Sequence, residues 1–314
     1  MQFRQLAYFV AVAEHGSFSA ASVALRIAQP SIGQQIKNLE EDLGTTLFHR
    51  HSRGIELTGS GRTLLSHARD ILDRVDAARR TIRDESDAPV GRVRVGLTLS
   101  ASLPLAVPLV TACNDAYPRI DLVLIEALSN DLVTRIADDR VDLALTYSGA
   151  YPEGVRGEAL ADEDYHFCVS ADHPLADRSV VDLADVLDSR MCLPPETHML
   201  RRQVGDAARA NGKTADVAME VESITTITML VESGIYASIL PYSAVAHTVS
   251  AGGIRAIPIA NPPLQRRMSL IFTTRRHLTK AENAVRTLII ENTRRLIDTG
   301  TLKWRAPDRS RQFQ

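Results

Sequence analysis

Hydrophobic positions in the first ninety residues repeat at helical spacing. Leu6, Phe9, Val10 and Ala13 fall on one face of residues 3–13, the arrangement of an amphipathic helix. His15-Gly16 ends that run, because glycine accepts the left-handed conformation of a helix C-terminus. Ser17 is a good N-cap for a second helix from Phe18 to Leu25, whose Ala20, Ala21 and Ala24 let a neighbouring helix approach closely. A turn at Arg26-Ile27-Ala28 leads into a third helix, where Pro30 sits in the first turn and loses no hydrogen bond. Ile32, Ile36 and Leu39 form its buried stripe; Gln29, Ser31, Gln34, Gln35, Lys37 and Asn38 lie off it. Leu47-Phe48 and Ile55-Glu56-Leu57, on either side of the turn-like Ser52-Arg53-Gly54, predict a two-stranded wing. Thr58 then caps a long helix to about Ser86, with Leu64, Leu65, Ala68, Ile71, Leu72, Val75, Ala78 and Ile82 spaced as in a coiled coil. Such a helix, about 42 Å long, cannot bury its stripe alone, and a second copy of the chain is the simplest partner.

Beyond residue 90 the pattern becomes strand and helix in alternation. Asp87-Ala88-Pro89-Val90-Gly91 reads as a hinge. Val93–Leu97, Leu122–Glu126 and Val141–Thr146 read as strands, with helices Leu105–Ala116 and Leu132–Asp138 between them and Ser129-Asn130-Asp131 as a cap. This alternation implies a parallel open sheet. Ligands of such sheets sit beyond the carboxyl ends of the strands, which places Thr98, Ser100, Ser102, Ser129 and Tyr147 at one mouth. A second lobe follows: strands at Tyr165–Val169, Met191–Leu193 and Ala237–Pro241, and a helix opening at Ser223 and ending near Gly234. Arg267–Thr273 brings the chain back to the first lobe.

Composition changes this picture little. The 314 residues are 45% hydrophobic and 24% charged, ordinary values for a globular protein of two or three domains. No apolar run is long enough to span a bilayer, and Met1–Leu6 lacks the pattern of a signal peptide; the expected location is the cytoplasm. Cys113, Cys168 and Cys192 are odd in number and widely spaced, and read as small buried side chains rather than disulfides or zinc ligands. The net charge is −2, and residues 1–57 are balanced: Arg4, Arg26, Lys37, Arg50 and Arg53 against Glu14, Glu40, Glu41, Asp42 and Glu56. From Arg275 onward ten basic residues face four acidic ones, so residues 301–314 read as a flexible, solvated basic tail. There is no Gly-rich phosphate loop, nucleophile elbow or metal-ligand spacing; an enzyme is disfavoured, and no cofactor or metal is expected.

A short alanine-rich helix, a tight turn and an amide-rich helix make a helix-turn-helix. Exposed Gln and Asn suit base edges, because a side-chain amide pairs with adenine in the major groove. Arg50 and Arg53 at the wing suit phosphate or the minor groove. Ala20–Ser31, with Leu39-Glu40, Leu43-Gly44, Leu47-Phe48-His49-Arg50 and Leu57-Thr58 following in order, resembles the LysR-type transcriptional regulators. Ala28-Gln29-Pro30 and Gln34-Gln35 resemble the branch typified by the nitrogen assimilation control protein. Gly33-Gln34 stands where the family carries Ser-Arg, and Gly33 should loosen the helix slightly.

The resemblance implies an α/β multidomain chain: a winged helix-turn-helix over 1–58, a linker helix and hinge over 59–90, and a two-lobed effector domain over 91–300 like periplasmic solute-binding proteins. Lobe I takes about 91–163 and 267–300, and lobe II about 164–266. It implies double-stranded promoter DNA, a small anionic effector, RNA polymerase and the chain's own copies, as homodimer or homotetramer, as partners, with no membrane. Gln29, Pro30, Ser31 and Gln34 would face bases; Lys37, Arg50 and Arg53 would hold the backbone or minor groove. Ser100 and Ser129 carry over as effector contacts by position, with Thr98, Ser102, Tyr147, His198 and Thr226 around them. The alternative is a periplasmic-type binding protein, which accounts for the two lobes but not for residues 1–86.

Overall fold

The computed structural model describes residues 1–308 apart from 52–53, 84–87, 148 and 150. It divides into two compact units, 1–87 and 88–314.

In the first unit, α1 (Phe3–His15) ends at Gly16 in the left-handed region, φ 66°. The Oγ of Ser17 accepts from the Ala20 amide and starts α2 (Phe18–Leu25). Arg26 turns left-handed, φ 56°, and α3 (Gln29–Leu43) follows. Ile32, Ile36 and Leu39 are fully buried, against Leu6, Phe9 and Val12 of α1 and Ala21 of α2. The wing is the hairpin of β1 (Phe48–His51) and β2 (Gly54–Leu57), in register Phe48↔Leu57. The Phe48 ring lies 5.2 Å from Phe9 and 6.0 Å from Phe18, which packs the wing onto the helices. Glu40 holds its entrance, accepting from the Leu47 amide at 2.7 Å and the Phe48 amide at 3.3 Å. Thr58 caps α4 (Gly59–Arg83) by accepting from the Gly61 amide at 2.9 Å. Ala68 is buried, and Leu64, Leu65, Ile71 and Leu72 pack against the same core. The stretch of that stripe at Ala78 and Ile82, and the predicted end at Ser86, lie outside the described side chains and residues.

The second unit opens with β3 (Gly91–Leu97), α5 (Leu99–Ala116), β4 (Ile120–Glu126), α6 (Ser129–Ala137) and β5 (Leu143–Thr146). β3 runs parallel to both β4 and β5. Then β6 (Val155–Ser170) crosses into a second lobe made of β7 (Val181–Asp182), α7 (Leu183–Leu187), β8 (Met191–Leu193), α8 (Met199–Ala210), β9 (Val217–Glu220), α9 (Ile224–Glu232), β10 (Ser238–Pro241), α10 (Tyr242–Ser250) and β11 (Ile254–Ala260). β12 (Gln265–Thr273) returns between β5 and β6, and α11 (Lys280–Asp298) covers lobe I. The sheet is mixed, not parallel as the alternation suggested, because β12 pairs antiparallel with both neighbours. A chain that leaves lobe I along β6 has to come back against that direction. The second half of β6 carries β10 and β11, so one strand runs through both lobes. α5 begins at Leu99 rather than Leu105 and continues through Pro104 and Pro108. Ser129 lies inside the first turn of α6 and is not its cap; the cap position is Leu128.

The chain end corrects a further expectation. Residues 301–308 are not a loose basic tail. Leu302 and Trp304 are buried in the lobe I core. Arg305 and Asp162 exchange backbone hydrogen bonds of 2.9 Å in both directions. Arg305 also grips Asp164, and Arg267 bridges Asp162 and the Asp308 carbonyl. The Lys303 ammonium lies 4.3 Å from the ring centre of Tyr242 in lobe II. Burial of Leu302 and Trp304, the Arg305–Asp164 ion pair and the Lys303–Tyr242 contact hold this segment in place.

Candidate functional site

Gln29, Pro30, Ser31, Gln34 and Lys37 are all exposed on α3, on the side opposite its buried stripe. Two contacts order these side chains. The Ser19 hydroxyl donates to Gln29 Oε1 at 3.0 Å, tying α2 to the first residue of α3. Gln34 Nε2 donates to Asn38 Oδ1 at 2.8 Å, one turn on. Lys37 pairs with Glu41 at 3.6 Å, an exposed contact of little energetic weight. Arg50 lies on β1 opposite Ile55, with its side chain outside the described set, and Arg53 is outside the described residues.

The second candidate site lies where the lobes meet. Register places Glu163 and Arg266 side by side on β6 and β12, past the level of Thr146 at the end of β5. Arg266 donates through Nε and Nη2 to Glu163 Oε2 at 3.0 and 2.6 Å. Nη2 also donates to Ser100 Oγ at 3.0 Å and Ser243 Oγ at 3.4 Å. The other carboxylate oxygen of Glu163 accepts from the Ser243 amide at 2.8 Å, in the first turn of α10. Tyr147 stacks under the guanidinium at 3.5 Å, and Tyr165 flanks it at 5.5 Å. Burial works most strongly against the Arg266 charge, but Glu163, Tyr147 and Tyr165 together outweigh it and keep the guanidinium firmly protonated. Burial pushes both tyrosine hydroxyls up to about 12. The hydroxyls of Thr98, Tyr147 and Tyr165 are buried without a well-formed hydrogen bond among the described residues.

Of the sequence-predicted residues, Ser100 and Tyr147 meet at Arg266. Thr98 is the buried cap residue of α5, and half-buried Ser102 donates its amide to the Thr98 carbonyl at 2.8 Å. Ser129 Oγ accepts from the Tyr147 amide at 3.2 Å, joining α6 to the exit of β5. His198 caps α8 by accepting from the Leu200 amide at 3.2 Å. Thr226 is exposed at the start of α9. Arg266, Glu163, Ser243 and Tyr165 escaped the sequence reading. The visible signal was a run of like charges, Asp162-Glu163-Asp164 in one strand and Arg266-Arg267 in the other, just ahead of an apolar stretch in each.

Burial, then Arg266 and Arg202, lowers the His198 pKa from 6.5 to about 4. The unfolded chain takes that proton near 6.5, so stability is intact above this pH and falls as pH drops toward 4. His198→Asn keeps a side-chain cap and removes the titration. Relative to wild type it should gain about 1.4 kcal/mol on going from neutral pH to about pH 5.5, measured by urea denaturation at both values.

The three cysteines are free and buried, and burial raises each thiol, Cys168 to about 12. Thiols so placed stay protonated and unreactive. A cavity of about 300 Å³ lies away from the lobe boundary, between β6, α11 and Pro307. Among the described residues no helix is long and apolar enough to cross a membrane, and no group of metal-ligating side chains occurs.

A helix-turn-helix unit joined in one chain to a two-lobed α/β domain defines a ligand-responsive DNA-binding regulator. Residues 3–62 match the bacterial regulatory helix-turn-helix protein, lysR family, and residues 86–294 match the LysR substrate binding domain. The chain is 31% identical to the nitrogen assimilation regulatory protein nac of Escherichia coli (strain K12), over 92% of this chain and 94% of that protein. It is 32% identical to the transcriptional dual regulator GltC of Bacillus subtilis (strain 168), over 93% and 97%. The structure of full-length CbnR complexed with its target DNA matches with a TM-score of 0.70 at 26% identity, covering 94% of this chain and 99% of that one. The chain belongs to the LysR family of transcriptional regulators. Its relatives are regulators, not periplasmic binding proteins, which sets that alternative aside.

Proposed function

We propose that α3 reads the bases of an operator through Gln29, Pro30, Ser31 and Gln34, while Lys37, Arg50 and Arg53 hold the backbone or the minor groove. The observation that carries this reading is a set of exposed amides on the second helix of a helix-turn-helix, Gln29 held by Ser19 and Gln34 by Asn38. The protein acts in the cytoplasm as a homodimer, or a pair of dimers, that places two recognition helices in successive major grooves and engages RNA polymerase. The pairing surface is the sequence stripe of α4 beyond Leu72, since Leu64, Leu65, Ala68, Ile71 and Leu72 pack against their own core. A small anionic effector binds between the lobes near Thr98, Ser100 and Tyr147. Ser102, Ser129, His198 and Thr226 form the outer candidates. The effector changes operator affinity through its different affinity for two lobe arrangements.

Fluorescence anisotropy of the full-length protein on DNA from upstream of its own gene, against scrambled DNA at moderate salt, tests this. The expected preference is roughly 1000-fold. Gln34→Ala should erode it by about 1–3 kcal/mol, the worth of one bidentate base contact. Equal, salt-dominated binding to both DNAs, or binding to neither, would overturn the base-reading assignment.

A further inference from the structure

The cavity of about 300 Å³ beside the chain end belongs neither to the DNA-reading face nor to the region between the lobes. Its origin is local. Arg305 and Asp162 form an antiparallel bridge, so the chain end starts out as an extra strand on the edge of β6 opposite β12. Two residues on, Pro307 has no N–H to donate, and the pairing stops. β6 is irregular at the same level. Ala161 faces Met268 and Ala159 faces Ser269, which leaves Leu160 as an extra, bulged residue. Strand and chain end part there, and Ile290, Thr293, Arg294 and Ile297, neighbours on one face of α11, close the gap.

The lining is aliphatic apart from one cation. Leu160, Ile290, Ile297, Ala306 and Pro307 form the walls. Thr293 is buried and donates its hydroxyl proton to the Ile289 carbonyl at 2.8 Å, so it offers no donor to a guest. Three arginines nearby are each matched by a carboxylate of β6: Arg267 by Asp162, Arg286 by Glu158 and Arg305 by Asp164. Arg294 is exposed at the rim and has no ion pair or hydrogen bond among the described residues. Asp298, one turn further along α11, does not pair with it. An aliphatic slot with a single unmatched guanidinium at its mouth suits an apolar chain that ends in a carboxylate. The chain leaves water, and the planar head meets a planar fork.

We infer that this cavity is a ligand site of its own, separate from the interlobe region, for a small aliphatic monocarboxylate. The chain lies between Leu160, Ile290 and Pro307, and the head sits on Arg294. Such a ligand touches β6, α11 and the chain end at once, so it binds only while the chain end is seated. Binding that requires the seated state stabilises that state by mass action. The volume is at the lower end for small-molecule sites, which limits the guest to a short chain.

The probe is hexanoate, with hexanol as its neutral counterpart. Both are titrated calorimetrically into full-length protein at neutral pH and constant ionic strength. Wild type should bind hexanoate about tenfold or more tightly than hexanol, the worth of one charge-assisted contact. Arg294→Gln, at an exposed position, should remove that advantage and leave hexanol binding unchanged. Ala306→Phe places a ring in the slot from the exposed chain end and should abolish binding of both. The emission of Trp304, two residues from Ala306, should match wild type in both ligand-free variants, which shows that the chain end is still seated. Hexanoate that fails to bind wild type would overturn the inference. So would hexanoate affinity unchanged in both variants, which would put the molecule elsewhere, the interlobe region included. Hexanol binding as tightly as hexanoate, or hexanoate lost in Ala306→Phe but unmoved in Arg294→Gln, would overturn the carboxylate assignment. None of these outcomes depends on operator binding.

Discussion

Trp304→Ala should destabilise the 88–314 unit by about 3–5 kcal/mol, the range for removing a buried tryptophan. For a unit of this size the loss lowers its melting temperature by roughly 10 °C. The reason lies in what the residue anchors. Trp304 is 3% exposed in the lobe I core, directly between Lys303 on Tyr242 and Arg305 on Asp162 and Asp164. Losing the ring removes apolar burial and loosens these polar attachments together. Thermal unfolding followed by circular dichroism checks it. A change below about 1 kcal/mol, the size expected at an exposed site, would mean that the chain end contributes nothing.

Gly61→Ala should cost the N-terminal unit about 3 kcal/mol, a fall of roughly 15 °C in a unit of that size, with operator binding lost in parallel. A Cβ at Gly61 would meet the Leu47 carbonyl oxygen at 2.2 Å and Leu57 Cδ2 at 2.9 Å. The carbonyl is backbone and already accepts from the Thr58 amide at 3.0 Å, so it has no easy route away. Gly33→Ala is the internal control. A Cβ there meets nothing within 4 Å, and replacing glycine inside a helix gains up to about 1 kcal/mol. The same chemical change should therefore carry opposite signs at the two positions, read from the melting of full-length variants.

The N-terminal unit was largely legible in the sequence because its determinants are local. Ser17, Gly16 and the stripe Ile32, Ile36, Leu39 each act within a turn or two, and the structure places them as read. The first half of β6 was not legible. Val155–Asp164 carries charges on both sides and lacks a clean alternation; β12, a hundred residues away, pairs with it as a strand. α11 announced itself through the Thr279–Glu282 capping box, a signal present but unread. The Arg266–Glu163 pair spans 103 residues, so neither charge alone marks itself as buried. The basic end misled for a related reason. Composition counts its charges as solvated, whereas Asp164 on the crossing strand pairs with Arg305 and the Tyr242 ring lies against Lys303.

The buried indole has a practical use. It is the single tryptophan of the chain, so excitation at the red edge of protein absorption illuminates one site. That fluorophore is flanked by residues attached to both lobes. Its emission colour and quenching by added iodide thus give a label-free optical gauge of whether the C-terminal strap stays seated on the lobes.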